Sequence, residues 1–101
     1  MMEQIQAVVD KIVQQFHPSL VILFSRKTNM YGDITSFKLV IAADVENASE
    51  LERQIYLAVE SDLPYDVVVY RTADYQRLCA EEDSFAQTVQ EKGVVLYGPQ
   101  R

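Results

Sequence analysis

Residues 20–44 read LVILFSRKTNMYGDITSFKLVIAAD, and this stretch decides the fold. It begins with the apolar run 20–24 and continues, after a polar segment, into a second apolar run over residues 37–42. Continuous apolar runs of this length are typical of strands that are buried on both faces. Residues 25–36 are too polar for a core, so we predict two adjacent antiparallel strands joined by a polar loop. Loops at the ends of buried strands often carry binding sites.

An amphipathic helix precedes the strand pair. Apolar residues recur at helical spacing over residues 2–16. Pro18 ends this helix, because a proline disfavours helical geometry at the residue before it. That residue, His17, is the only histidine of the chain. Its position at a helix C-terminus favours a capping or surface role over a catalytic one.

A helix and a third strand are predicted after the strand pair. The string SELE at residues 49–52 matches a capping box, which satisfies free amides at a helix start. This helix is expected to end near Asp62, before Leu63 and Pro64. Residues 65–70 form an apolar-rich third strand, which can cross over to run parallel to its neighbour.

Two short helices and a final strand complete the predicted order of elements. Thr72 can cap the first helix. Ser84 can cap the second helix, which is expected to carry Phe85 on its inward face and to end at Gly93. Residues 94–97 are a last short strand. The sequence therefore predicts an α/β (α+β) fold, a mixed sheet of about four strands with helices packed on it, in one domain over residues 1–101.

The composition limits the classes of function. The chain is 49% hydrophobic and 24% charged, as expected for a globular protein. Cys79 is the only cysteine, which excludes an intramolecular disulfide and agrees with a cytoplasmic location. No apolar stretch approaches the ~20 residues of a membrane span, and no leader is apparent at the N-terminus, so we expect neither export nor insertion.

The charge distribution is uneven. A net charge of −6 works against the binding of long nucleic acid through phosphate contacts. Arg26, Lys27 and Lys38 nevertheless all lie in or beside the central loop. These bases could hold a small anion, or they could be ordinary charges on a solvated loop.

The order of elements and three strings resemble the minimal nucleotidyltransferases of the DNA polymerase beta superfamily. The strings are VILF at residues 21–24, YDVVVY at 65–70, and the segment from Ser84 to Gly98 that contains GVVLYG. The resemblance covers nearly the whole chain and implies a nucleotidyltransferase-like fold. In that family the first strand leads into Gly-Ser, which holds the nucleotide triphosphate, and the second carries Asp-x-Asp. With a third carboxylate on the next strand, these residues hold the magnesium ions that phosphoryl transfer requires.

This chain departs from the family pattern at both motifs. Ser25 and Arg26 stand where Gly-Ser is expected, and Ser36 and Lys38 stand at the Asp-x-Asp positions. Ser36 and Lys38 share a face of the strand, as the two carboxylates would. Only the third carboxylate has a counterpart, Asp66. A cation at a metal-ligand position repels the metal, and one carboxylate cannot build a two-magnesium site.

These departures leave three hypotheses for the function. The first is a catalytically degenerate nucleotidyltransferase-fold protein that serves as a binding or regulatory subunit without a cofactor. The resemblance implies a partner of the helical HEPN type, as in toxin–antitoxin pairs, and a homodimer is also possible. The second is an active enzyme that uses Mg²⁺, Asp66, Asp33 and Ser25 to transfer a nucleotidyl group from an NTP to a protein or small-molecule hydroxyl. The third is an unrelated small α/β domain.

We make three structural predictions, of which the first two rest on the altered motifs and the third on the six tyrosines of the chain. Lys38 is expected to take the place of the metal by forming an ion pair with Asp66, unless its long stem bends out to solvent. The loop over residues 25–36 should be the most mobile internal segment. Tyr31, Tyr56 and Tyr75 are not firmly assigned to the core, so they are candidates for a surface that binds a partner or a second copy.

Overall fold

The computed structural model describes residues 2–99, which form four helices and one four-stranded sheet. The elements in chain order are α1 Met2–Phe16, β1 Leu20–Thr28, β2 Ile34–Ala43, α2 Ala48–Ala58, β3 Tyr65–Arg71, α3 Thr72–Cys79, α4 Phe85–Lys92 and β4 Val94–Tyr97. The strand order is β3-β2-β1-β4. β1 runs antiparallel to β2 and β4, whereas β2 and β3 are parallel. The predicted mixed α/β class is confirmed.

The central connection is a tight hairpin, so the prediction of a long loop over residues 25–36 is wrong. β1 and β2 stay paired almost to their tips, and only residues 29–33 form the turn. The Asn29 side chain closes this turn by accepting the N–H groups of Tyr31 at 2.9 Å and Asp33 at 3.0 Å. Gly32 supplies the left-handed backbone, with a φ of 85°. The predicted mobility was based on a long loop, which does not exist.

The first face of the sheet carries the larger core. α1 and α2 pack on it with their apolar faces. The buried residues of this cluster are Ile5, Val8, Val9, Ile12, Val21, Leu23, Ile34, Phe37, Leu39, Ile41, Ala43, Leu51, Ile55, Val59, Val67 and Val69. Burial of a Val, Leu or Ile side chain contributes about 1.5–3 kcal/mol, so most of the stabilisation comes from this face.

α1 ends as the sequence predicts. The N–H of His17 donates to the carbonyl of Val13 at 3.0 Å, and His17 itself adopts a left-handed φ of 50°. Left-handed residues commonly end helices, and Pro18 then continues the chain toward β1. His17 is exposed and lies outside both candidate sites described below.

The second face is covered by the two short helices α3 and α4. Its buried cluster is smaller and comprises Ile22, Val40, Ala42, Tyr75, Ala86 and Val89. Tyr75 is only 5% exposed, so its candidacy for a partner surface is wrong. Phe85 does not point fully inward as predicted: it is 42% exposed, with its ring edge-on to Phe24 at 5.1 Å.

α2 differs at both ends from the prediction. Its cap is Asn47, whose side chain accepts the N–H of Glu50 at 3.0 Å, and not Ser49. Asn47 satisfies the helix start two residues earlier, in the same way as a serine would. The helix ends at Ala58 instead of near Asp62, because the backbone becomes extended at the following residue.

The caps of α3 and α4 contrast with each other. Ser84 caps α4 as predicted, and its Oγ accepts the N–H of Gln87 at 3.0 Å. α3 instead follows Arg71, which makes no side-chain cap. Thr72 is the first helical residue, and its hydroxyl bonds to that of Ser19 at 2.9 Å.

Side chains of α2 satisfy the outer edge of β3. The Tyr56 hydroxyl accepts the N–H of Val67 at 2.7 Å, and Glu52 Oε2 accepts the N–H of Val69 at 3.0 Å. An edge strand otherwise presents unpaired backbone groups to other chains. These two bonds therefore protect one edge of the sheet against further strand pairing.

Candidate functional site

The predicted site residues Ser25, Arg26, Ser36, Lys38 and Asp66 all border one open cleft of about 180 Å³. The cleft lies where the β1–β2 hairpin extends past the start of β3. Residues that are far apart in the sequence thus come together in one cleft.

Strand pairing brings the centre of the cleft together. On β2, Lys38 is paired with Ser25 of β1 on one side and with Asp66 of β3 on the other. Directly paired residues of adjacent strands project from the same face. Ser25, Lys38 and Asp66 therefore form a row across three strands on the second face, the face that carries α3 and α4.

A β-bulge determines which β1 residues reach this row. The pairing shifts between Leu23 and Ser25, with Phe24 as the extra residue. Simple alternation would place Ser25 on the same face as Leu23, which lies in the first core. The bulge moves Ser25 and Lys27 to the second face instead. Sequence periodicity gave no signal of this shift.

Arg26 borders the cleft but directs its charge elsewhere. It is paired with Phe37, a first-face residue. Its guanidinium Nη1 lies 3.4 Å from the sulfur of Met2 on α1. Lys27 also lines the cleft and is paired with Ser36. The sequence places it among the bases near the loop, but it was not a predicted site residue.

The predicted ion pair between Lys38 and Asp66 is not formed. Within residues 2–99, ion pairs join Arg53 to Glu50 and Arg77 to both Asp74 and Glu81. Asp66 is exposed, so its carboxylate keeps its hydration and needs no cation to offset burial. The half-buried Lys38 fits the alternative in which its stem covers the sheet and its ammonium stays in water. Both charges therefore remain open to a ligand.

The donor set of the cleft does not fit a magnesium ion. Asp66 is the single carboxylate among the described residues that line it, and Lys38 stands beside it. Asp33 lies at the hairpin turn, outside the cleft, where its N–H is held by Asn29. Across residues 2–99 no group of three or more His, Cys, Asp or Glu side chains could hold a metal. Magnesium requires several hard oxygen ligands in near-octahedral geometry.

Tyr65 forms the wall of the cleft next to Asp66. Its ring stacks on Phe37 at 5.6 Å, and its hydroxyl donates to the carbonyl of Val59 at 2.6 Å. Burial, assisted by the nearby Tyr56, raises the pKa of the Tyr65 phenol. The phenol is therefore neutral at physiological pH and adds no negative charge to the cleft.

No protein-family model matches the chain, and comparisons with curated proteins and with solved structures find no match either. The resemblance to nucleotidyltransferases consequently depends on the strings quoted above. Within residues 2–99, no helix is long and apolar enough to cross a bilayer.

Proposed function

We propose that this chain is a catalytically degenerate nucleotidyltransferase-like protein that acts as a binding or regulatory subunit. The observation that supports this proposal is the row of Ser25, Lys38 and Asp66 across the cleft. The resemblance expects carboxylates at the positions of Ser36 and Lys38, and the cleft offers a hydroxyl and a cation there. Such a site can hold an anion without metal but cannot neutralise a triphosphate through two magnesium ions.

The ligand that suits this cleft is a phosphate-bearing molecule. Lys27 and Lys38 contribute two ammonium groups, and Ser25 and Ser36 contribute hydroxyl donors. The carboxylate of Asp66 stands at one end of the row, where it can accept a hydroxyl or an amino group. On a protein of net charge −6, this local arrangement favours one small anion over a polyanion.

The active alternative has less support from the cleft. It requires Asp33 to act together with Asp66 and Ser25 around a metal. Asp33 instead occupies the hairpin turn, where its backbone is fixed by two bonds to Asn29. An active enzyme would need this turn to refold.

A regulatory subunit needs a partner, and two sets of exposed apolar side chains could contact such a partner. Met30 and Tyr31 are 88% and 80% exposed at the tip of the hairpin. Leu57 is 70% exposed on α2, beside the partly exposed Tyr56. We propose a cytoplasmic protein that pairs with a helical partner of the HEPN type or with a second copy, because exposed tyrosine and methionine side chains are enriched at interfaces.

Calorimetric titration of ATP in the presence of EDTA tests the proposed site. We expect binding without magnesium, and we expect Lys38→Glu to weaken it by at least about tenfold, since hydrogen bonds to charged groups contribute about 1.5–3 kcal/mol. Lys11→Glu on α1 makes the same charge change away from the cleft and should have little effect.

A transfer assay tests the degenerate character separately. With α-labelled ATP, magnesium and the protein itself as acceptor, we expect no incorporation of label. Magnesium-dependent labelling that is lost in Asp66→Asn would contradict the proposal and favour the active alternative. The absence of any ATP binding in EDTA would contradict the phosphate site.

A further inference from the structure

A second cavity lies on the same face of the sheet, under α3 and α4. Its volume is about 260 Å³, and it shares no described lining residue with the cleft. It opens near the carboxyl ends of the parallel strands β2 and β3, where Ala42 and Thr72 border it. Open α/β sheets most often bind ligands at the carboxyl ends of their strands.

The body of this cavity is apolar. Its lining includes Leu20, Ile22, Ala42, Val89 and Val95. An engineered apolar cavity of about 150 Å³ holds benzene, so the larger volume here suits a bicyclic molecule of about ten heavy atoms. An apolar cavity of this size, with a few convergent polar groups, has the character of a ligand site.

No charged side chain is among the described residues that line the cavity. The polar groups at its border are hydroxyls, a thiol and amides, of which Gln76 is exposed and Gln90 is half-buried. The Cys79 thiol is directed to the carbonyl of Ala86 at 3.6 Å. Transfer of an ionised group into such surroundings without a counter-charge is strongly unfavourable. The ligand is therefore neutral.

The hydroxyl pair at the border determines the polarity of the ligand. Ser19 Oγ donates its single hydrogen to the carbonyl of Ala42 at 3.0 Å. In its 2.9 Å bond with Thr72 Oγ1, Ser19 must then accept, so the hydrogen in that bond belongs to Thr72. The hydroxyl hydrogens of Ser19 and Thr72 are thus both donated to acceptors of the protein, Ala42 and Ser19 respectively. Thr72 Oγ1 retains only lone pairs and can serve a ligand only as an acceptor.

We propose that this cavity is a binding site for a small neutral molecule with an apolar bicyclic body and one hydrogen-bond donor, which Thr72 Oγ1 accepts. The site is independent of the phosphate cleft. A ligand there would contact α3, α4 and β1 together, and it would fill the space that the two short helices leave above the sheet.

Indole and 1-methylindole are suitable probes, because the two differ at the N–H donor and the chain contains no tryptophan to mask their fluorescence. We expect indole to bind more tightly than 1-methylindole by about threefold to tenfold, as for one neutral hydrogen bond. Thr72→Val should abolish this preference and leave the affinity for 1-methylindole unchanged. Thr88→Val on α4 removes a hydroxyl that bonds to Ser84 outside the cavity and should preserve the preference.

Two further measurements secure the assignment. Cys79→Phe, which fills the cavity, should abolish the binding of both probes, whereas saturating ATP should displace neither. No change in probe emission up to millimolar concentration would overturn the proposal. Equal affinities for the two probes in the wild-type protein, or a preference that survives Thr72→Val, would overturn it as well, even if Cys79→Phe failed to fold.

Discussion

The two faces of the sheet differ in how completely helices cover them. On the first face, α1 with 15 residues and α2 with 11 bury a cluster of sixteen residues. On the second face, α3 and α4 have eight residues each, and six residues are buried in the described part of the chain. The row of Ser25, Lys38 and Asp66 in the cleft and the apolar cavity both lie on this second face.

We infer that the first face mainly stabilises the fold, and that the second face carries the two proposed binding sites. On the first face the core side chains pack against each other, and the concavities there lie at the borders of α1, beside Glu60 and beside Tyr97. The second face leaves part of the sheet uncovered at the base of the hairpin and part of it loosely covered under the helices. In a small domain, one well-packed face can therefore stabilise the fold while the other stays available for ligands.

The largest expected difference between the faces comes from a matched pair of isoleucines. Ile41→Ala on the first face should lower the free energy of unfolding by about 4 kcal/mol, near the upper part of the range for buried isoleucine. Ile22→Ala on the second face should lower it by about 2 kcal/mol, because Ile22 borders an existing cavity and makes fewer contacts on that side. Urea unfolding measures both values. Equal losses would mean that the second face is packed as tightly as the first.

A smaller difference is expected between the helix caps. Ser84→Ala should lower the free energy of unfolding by about 2 kcal/mol, since its hydroxyl caps α4 and also donates to the carbonyl of Leu78 at 2.6 Å. Asn47→Ala, which removes the cap of α2 on the first face, should lower it by about 1 kcal/mol. Thermal unfolding of the two variants compares them directly. A larger loss for Asn47→Ala would contradict the expectation that the additional bond from Ser84 to Leu78 makes the cap of α4 the more stabilising of the two.

The smallest effect concerns the protected edge of β3. Tyr56→Phe removes the acceptor for the Val67 N–H and should lower the free energy of unfolding by about 1 kcal/mol. Tyr31→Phe is the matched control, because Tyr31 is 80% exposed and its change should stay within about 0.5 kcal/mol. Chemical unfolding of both variants gives the comparison. If Tyr56→Phe left the free energy of unfolding unchanged, water would satisfy the Val67 N–H as well as the Tyr56 hydroxyl does.

The sequence predicted the first face better than the second. The helical period over residues 2–16 and the apolar runs of β1 and β2 are strong signals, and α1 and the strand order of the hairpin follow them. The long loop was a wrong prediction because the polar residues 25–28, 35 and 36 belong to strands, and all of them except the half-buried Ser36 are exposed. The bulge at Phe24 also shifts the alternation of core-facing and outward-facing residues, so the sequence pattern gave no sign that β1 continues through residues 25–28.

Several residues that line the cleft could be predicted from the sequence, but the contacts that their side chains make or lack could not. Spacing placed Ser36 and Lys38 on one face of β2, and the structure confirms that both border the cleft with Asp66. The direction of Arg26 toward Met2 depends on the bulge, and the missing ion pair depends on the exposure of Asp66. The apolar cavity had no sequence signal, since it arises from how two eight-residue helices meet the sheet.

Amide chemical-shift mapping of one labelled sample tests most directly whether the second face carries both sites. Titration with ATP in EDTA should shift amides around Ser25, Ser36, Lys38 and Asp66, and subsequent addition of indole should shift a separate set that includes Thr72. Helix α1 should be unaffected by either ligand. Shifts from ATP that require magnesium, or shifts that concentrate on α1 and α2, would contradict the assignment of binding to the second face.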